Sequence, residues 1–175
     1  SIFRHSTWRT TGPSLPAGSS DIVPGSGPDD FQGSALGPSW MFVRNPPEDA
    51  LSLDERHGCL RLWGCPATLG DVAPLALVCR RQQHFDLAVR TLLDFTPDRP
   101  NEQAGLCVRA TEAFHAVLLI GSGRRGRELK LVHTTGGRSR TLGRADLEEG
   151  PVTLVLEATP RAYRSRHRRI SDSAH

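Results

Sequence analysis

Apolar and polar residues alternate with a period of two along much of the chain, and that period predicts strands. The longest run is "RRQQHFDLAVRTLLDF", Arg80 to Phe95. Phe85, Leu87, Val89, Thr91, Leu93 and Phe95 fall on one face of it, and His84, Asp86, Ala88, Arg90, Leu92 and Asp94 on the other. A strand with an apolar inner face and a polar outer face accounts for all of them, with Arg90 on the same face as Asp86 to offset its charge. The alternation recurs in "AGLCVRA", through Ala104, Leu106, Val108 and Ala110, and in "FHAVLLI", through Phe114, Ala116, Leu118 and Ile120. These two runs predict a hairpin. Further strand-length runs are "GCLRLWG" around Leu60 and Leu62, "RELKLVH" around Leu129 and Leu131, and "PVTLVLEA" around Val152, Leu154 and Leu156.

Turn-forming clusters such as "RNPPED", "DERHG" and "FTPDRPNE" separate these runs, and no helical stripe is present. The 17 Gly and 13 Pro spread along the chain agree with many short elements. The fold class predicted is all-β, an antiparallel β-sandwich or barrel. Residues 1 to 28, which include "TTGPSLPAGSSDIVPGSGP", lack a periodic apolar face and read as a linker, mostly irregular. One domain is expected over 29–163, followed by a basic disordered tail over 164–175.

Composition narrows the function classes. The formal net charge is +3, but five arginines against one aspartate in the last fifteen residues supply it, and the rest is nearly neutral. Such a body offers no continuous basic face for a phosphate backbone, so no nucleic-acid partner is expected. Of 22 basic residues only Lys130 is lysine, which fits the coding bias of a GC-rich bacterial genome. With no apolar run of membrane-spanning length and no charged-then-apolar leader, neither a membrane span nor a signal peptide is expected. Cys59, Cys65, Cys79 and Cys107 have no CxxC spacing and no His at zinc-ligand distance. They read as small buried thiols of a cytoplasmic protein. No cofactor and no metal is expected, although Asp29 and Asp30 form an oxygen pair of the kind that calcium takes.

Candidate chemistry is sparse. His84 and Asp86 as an acid and base pair have no nucleophile or third group placed by any motif, and a polar strand face explains them without catalysis. The Gly-rich, basic "GSGRRGR" has neither the spacing nor the strand-to-helix setting of a phosphate loop and reads as a hairpin turn. Trp40, Met41 and Phe42 read as core packing. Trp63, opposite in phase to Leu60 and Leu62, is the aromatic side chain placed for exposure, where it can stack on a sugar or meet an interface.

The order of "DDFQGSALGPSWMFVRNPPEDALSLDERHGCLRLWG", "VCRRQQHFDLAVRTLLDF" and "NEQAGLCVRATEAFHAVLLI" resembles the concanavalin A-like β-sandwich at the C-terminus of family 43 glycoside hydrolases, the β-xylosidases and α-arabinofuranosidases. The motifs are Asp30-Phe31 with Gly33 and Leu36, Trp40, the Arg44-Asn45-Pro46 turn, Gly58 to Leu62, Arg80 to Asp86, and Ala104-Gly105-Leu106. They span Asp29 to Tyr163, and "RRQQHFD" is the most specific. Asp30-Phe31 would begin an edge strand whose Phe enters the core, with Trp40 as a buried anchor.

The resemblance implies a concanavalin A-like jelly roll that is non-catalytic by itself. In such enzymes the carboxylic acid and carboxylate base of an inverting hydrolysis sit on a separate five-bladed propeller, so no catalytic residue is carried over to this chain. The implied partner is that propeller, with an oligomer possible. Trp63, Arg80, Arg81 and Gln83 are the candidate interface or carbohydrate contacts. Where the family continues through an aromatic, Gly-rich loop and a closing strand, the sequence from Arg164 onward matches nothing. The expectation is therefore a sandwich missing its last strands, either a truncated or frame-shifted piece or a variant that borrows strands from a partner. The alternative function is a free-standing carbohydrate-binding module for xylan-type sugars such as xylo-oligosaccharides.

Overall fold

The structure, a computed structural model, describes residues 6–9, 29–46, 49–84, 86–159 and 162–169. The described residues contain no helix. Their strands, in chain order, are β1 (Ser6–Arg9), β2 (Trp40–Phe42), β3 (Leu51–Ser52), β4 (Leu60–Leu62), β5 (Val78–Arg80) and β6 (Leu87–Asp94), then β7 (Gln103–Thr111), β8 (Phe114–Gly123), β9 (Gly126–Thr135), β10 (Arg138–Leu147), β11 (Val152–Thr159) and β12 (Ala162–Arg169). Every pairing is antiparallel. The sheets run β12-β11-β6-β1-β4-β3, β10-β9-β8-β7 and β2-β5.

The alternation along β6 and β11 builds the main core. Val152, Leu154, Leu156 and Ala158 are buried on one face of β11, and Thr91 and Leu93 of β6, with Phe95 just beyond it, on the matching face. Register places Leu154 beside Thr91 and Val152 beside Leu93. Across the gap lie Leu118 and Ile120 of β8, Leu129 of β9 and Leu147 of β10, with Ala104 and Leu106 of β7 packed at the margin. Two facing layers of inward side chains make a sandwich. Each Leu or Phe buried there contributes roughly 1.5–3 kcal/mol. A second cluster, Phe31, Leu53, Leu60 and Leu62, is roofed by Trp40 of β2 and Val78 of β5.

The predicted hairpin is β7–β8, with Leu106 opposite Leu118 and Ala104 opposite Ile120. Gly105 is required there by contact. A Cβ on it would lie 2.3 Å from the Leu118 carbonyl oxygen and 2.6 Å from Leu119 Cα, both of them backbone atoms.

Several expectations need correction. The long strand begins at Leu87, so His84 and Asp86 lie in the connection before it and not on its polar face. The segment 29–36 contains no strand, because Phe31 adopts a left-handed φ of 52°, yet its ring is buried as foreseen. Met41 and Phe42 are 38% and 37% exposed instead of packed in the core, since the two-stranded sheet covers the second cluster only through Trp40 and Val78. The stretch from Arg164, expected as a disordered tail, runs as β12 to Arg169 and pairs with β11 along its whole length, from Thr159 opposite Ala162 to Val152 opposite Arg169. Backbone hydrogen bonding suffices for an outer strand whose side chains stay in solvent, so no apolar alternation announces it. Within the expected linker, Ser6–Arg9 form β1, paired with both β4 and β6; residues 10–28 and 170–175 lie outside the described residues.

Candidate functional site

Arg80 ends β5 opposite Trp40 of β2. Its guanidinium lies over the Trp40 indole, 4.4 Å from the ring centroid, and 3.5 Å from Asp29 Oδ2. Trp40 Nε1 donates to that same oxygen at 2.5 Å, while Asp29 Oδ1 accepts the Phe31 amide at 3.0 Å. The Phe31 and Trp40 rings meet at 5.6 Å. Asp29 thus holds the start of the domain onto β2 and β5, and its carboxylate is taken up by indole, amide and guanidinium. Among the described residues no group of three or more His, Cys, Asp or Glu is placed to hold a metal ion. Asp30 accepts the Gln32 amide at 3.2 Å, a local turn bond.

Arg81 and Gln83 are exposed in the connection 81–86, as is His84. Gln82 organises this segment. Its Nε2 donates to the His84 carbonyl at 2.8 Å, and its Oε1 accepts the Tyr163 hydroxyl of β12 at 3.0 Å. No hydrogen bond joins His84 to Asp86 among the described residues. The structure therefore ties Gln82, with Arg81 and Gln83 exposed on either side of it in the chain, to Tyr163 of β12, while Arg80 is directed to the Trp40 cluster and Trp63 lines a separate groove.

Trp63 follows β4 and is half-buried, its amide donating to the Ala50 carbonyl at 3.0 Å. With Asp49, Leu51, Ser52 and Glu55 it lines an open groove of about 500 Å³. The Glu55 carboxylate pairs with Arg61. An aromatic ring beside carboxylates and a hydroxyl can stack on one face of a sugar and accept from its hydroxyls.

A third cluster was not read from the sequence. Arg44, after β2, and Arg109, on β7, both reach Glu112 Oε1, at 2.8 and 2.9 Å. The Arg44 hydrogen bond, then the backbone amide and Arg109, hold the Glu112 carboxyl down at about 2. Two residues before Arg109 on β7 is Cys107, whose thiol burial pushes up to about 12, with Cys79 adding to the rise and Arg109 opposing it. Burial also raises the Cys79 thiol. Both sulfurs stay protonated near neutrality and are not nucleophiles there.

Comparison with known proteins follows the same lines. The model of the β-xylosidase C-terminal concanavalin A-like domain matches residues 28–170. A curated relative, a non-reducing end α-L-arabinofuranosidase of Bacteroides ovatus, is 37% identical over 107 residues, 61% of this chain and 20% of its own length. Among solved structures, the GH43 protein BlXynB of Bacillus licheniformis superposes with a TM-score of 0.80 at 31% identity, over 93% of this chain and 31% of that one. Xylan β-1,4-xylosidase of Bacillus halodurans does so with 0.79 at 27% identity, over the same shares. This chain thus spans about a fifth of the curated relative and under a third of the solved enzymes.

Proposed function

The chain belongs to the β-xylosidase C-terminal concanavalin A-like domain family, the accessory C-terminal β-sandwich of family 43 glycoside hydrolases, and on that premise we propose that it packs on a catalytic propeller and supports hydrolysis of xylosides or arabinosides that it does not itself perform. The observation that carries the docking is the Arg44–Glu112 ion pair. It ties the segment after β2 to the β7–β8 turn, and each presents an exposed phenylalanine, Phe42 two residues before Arg44 and Phe114 two residues after Glu112. Exposed apolar side chains around a charge pair suit an inter-domain interface. Four free thiols accord with the cytoplasmic setting that belongs to the same proposal.

The test is to co-express the chain with the propeller of the Bacillus licheniformis relative and measure co-elution and hydrolysis of an aryl xyloside. Association that raises activity, and that Phe42→Asp or Phe114→Asp abolishes, supports docking through this face. Separate elution with activity unchanged refutes it. The Trp63 groove favours a second reading, a carbohydrate-binding module for xylan-type sugars. Calorimetric titration with xylohexaose that shows binding lost in Trp63→Ala would select it, while flat titrations would exclude it.

A further inference from the structure

At the opposite end of β8 from Phe114, the chain turns through Arg124 and Arg125 into β9. Gly126 closes this turn at φ +116°, a conformation open to glycine. Gly123 admits the Glu128 side chain beside the turn, since a Cβ there would lie 2.6 Å from Glu128 Cβ. A groove beside this turn holds about 660 Å³ and is lined by Ser122, Gly123, Arg124, Arg125, Glu128, Lys130, Arg144 and Asp146. That volume is in the range of small-molecule sites.

Six of these eight residues are charged, and four cations face two carboxylates. Their arrangement is not one that serves the sheet alone. Register sets Arg144 of β10 directly opposite Lys130 of β9, and Asp146 directly opposite Glu128. Both are like-charge cross-strand pairs, which are destabilising in an empty sheet. Glu128 is shared, at 3.0 Å from Lys130 Nζ and 3.2 Å from Arg144 Nη1. Among the described residues Asp146 pairs with Arg125 alone, at 3.8 Å. Among the described residues Arg124 has no carboxylate partner, so the groove keeps an excess of two positive charges.

We propose that this groove binds a carboxylate-bearing sugar, a hexuronic acid or an oligosaccharide that carries one. The guanidinium forks of Arg124 and Arg144 match a carboxylate bidentately. Glu128 and Asp146 accept from ring hydroxyls, which a bare anion does not offer. The preference for an anion rests on the charges alone, and the preference for a sugar over an inorganic ion rests on the glycoside hydrolase reading above.

The test is a titration of the full 175-residue chain with sodium glucuronate, followed by amide chemical shifts at constant ionic strength. Glucose, xylose and inorganic phosphate serve as comparison ligands. Saturable shifts confined to residues 122–130 and 144–146 are expected with glucuronate, at least tenfold weaker in Arg144→Gln and in Arg124→Ser, and absent with glucose and xylose. Both side chains are exposed, and Arg144→Gln leaves Glu128 on Lys130, so spectra of unchanged dispersion certify the fold. No saturation, affinity unchanged in both variants, or displacement by equimolar phosphate would each overturn the proposal. None of these outcomes depends on whether the chain docks on a propeller.

Discussion

Glu112, half-buried, is held ionised by two arginines from different parts of the chain. Its folded value of about 2 lies below the ordinary 4.5. The stability it contributes is therefore fully present above about 4.5 and is lost as pH falls from there toward 2. Acid unfolding followed by circular dichroism should show a shallower decline across that window in Glu112→Gln than in the native chain. Gly105 makes the opposite demand, for space. Gly105→Ala sets a methyl group into backbone atoms and should destabilise by about 3 kcal/mol, read as a shift in the urea midpoint. Spacing alone did not disclose either role. The "AGL" of the hairpin showed an apolar alternation, but the backbone approach that forbids a side chain belongs to the neighbouring strand. In the same way nothing beside Asp29 in the sequence pointed to its partners Trp40 and Arg80, which are 11 and 51 residues away.

β11 and the inner half of β6 were legible because one face of each is buried and burial imposes period two on the sequence. The same reason hid β10 and β12. Residues 138–144 of β10 are exposed, and Leu142, at 55% exposure, falls at a register shift between Thr141 and Gly143. Along β12, Tyr163, Ser165 and His167 lie across from Ala158, Leu156 and Leu154, and Arg164, Arg166 and Arg168 take the other face. Arg166 bonds Glu157 at 2.6 Å. An outer strand that offers unpaired backbone is a template for aggregation, and charge on it is the usual protection. Replacing Arg164, Arg166 and Arg168 by threonine should leave the melting midpoint within a few degrees but produce concentration-dependent scattering on standing. Leu154→Ala, at the centre of β11, should instead cost about 2–5 kcal/mol without promoting association. The groove at the β8–β9 turn was half legible. "GSGRRGR" displayed the turn and two of its cations, while the opposition of Lys130 to Arg144 exists only once β9 and β10 are in register.

For the whole molecule, the two facing layers and their common core predict a single cooperative transition. A thermal melt of the purified chain, followed in the near ultraviolet, should be sharp, and a broad trace would mean that the sandwich needs a partner to close. Charge is distributed unevenly over that body. The outer strand of the six-stranded sheet carries Arg164, Arg166 and Arg168, and that of the four-stranded sheet Arg138, Arg140 and Arg144, all exposed. Two cationic rims on a nearly neutral body make the chain behave as a colloid with charged margins. At low ionic strength molecules repel, and light scattering should give a positive second virial coefficient. As the screening length falls to about 8 Å at physiological salt, that repulsion contracts to contact range and the coefficient drops toward zero, so that salt at ordinary concentrations sets how closely these molecules approach one another.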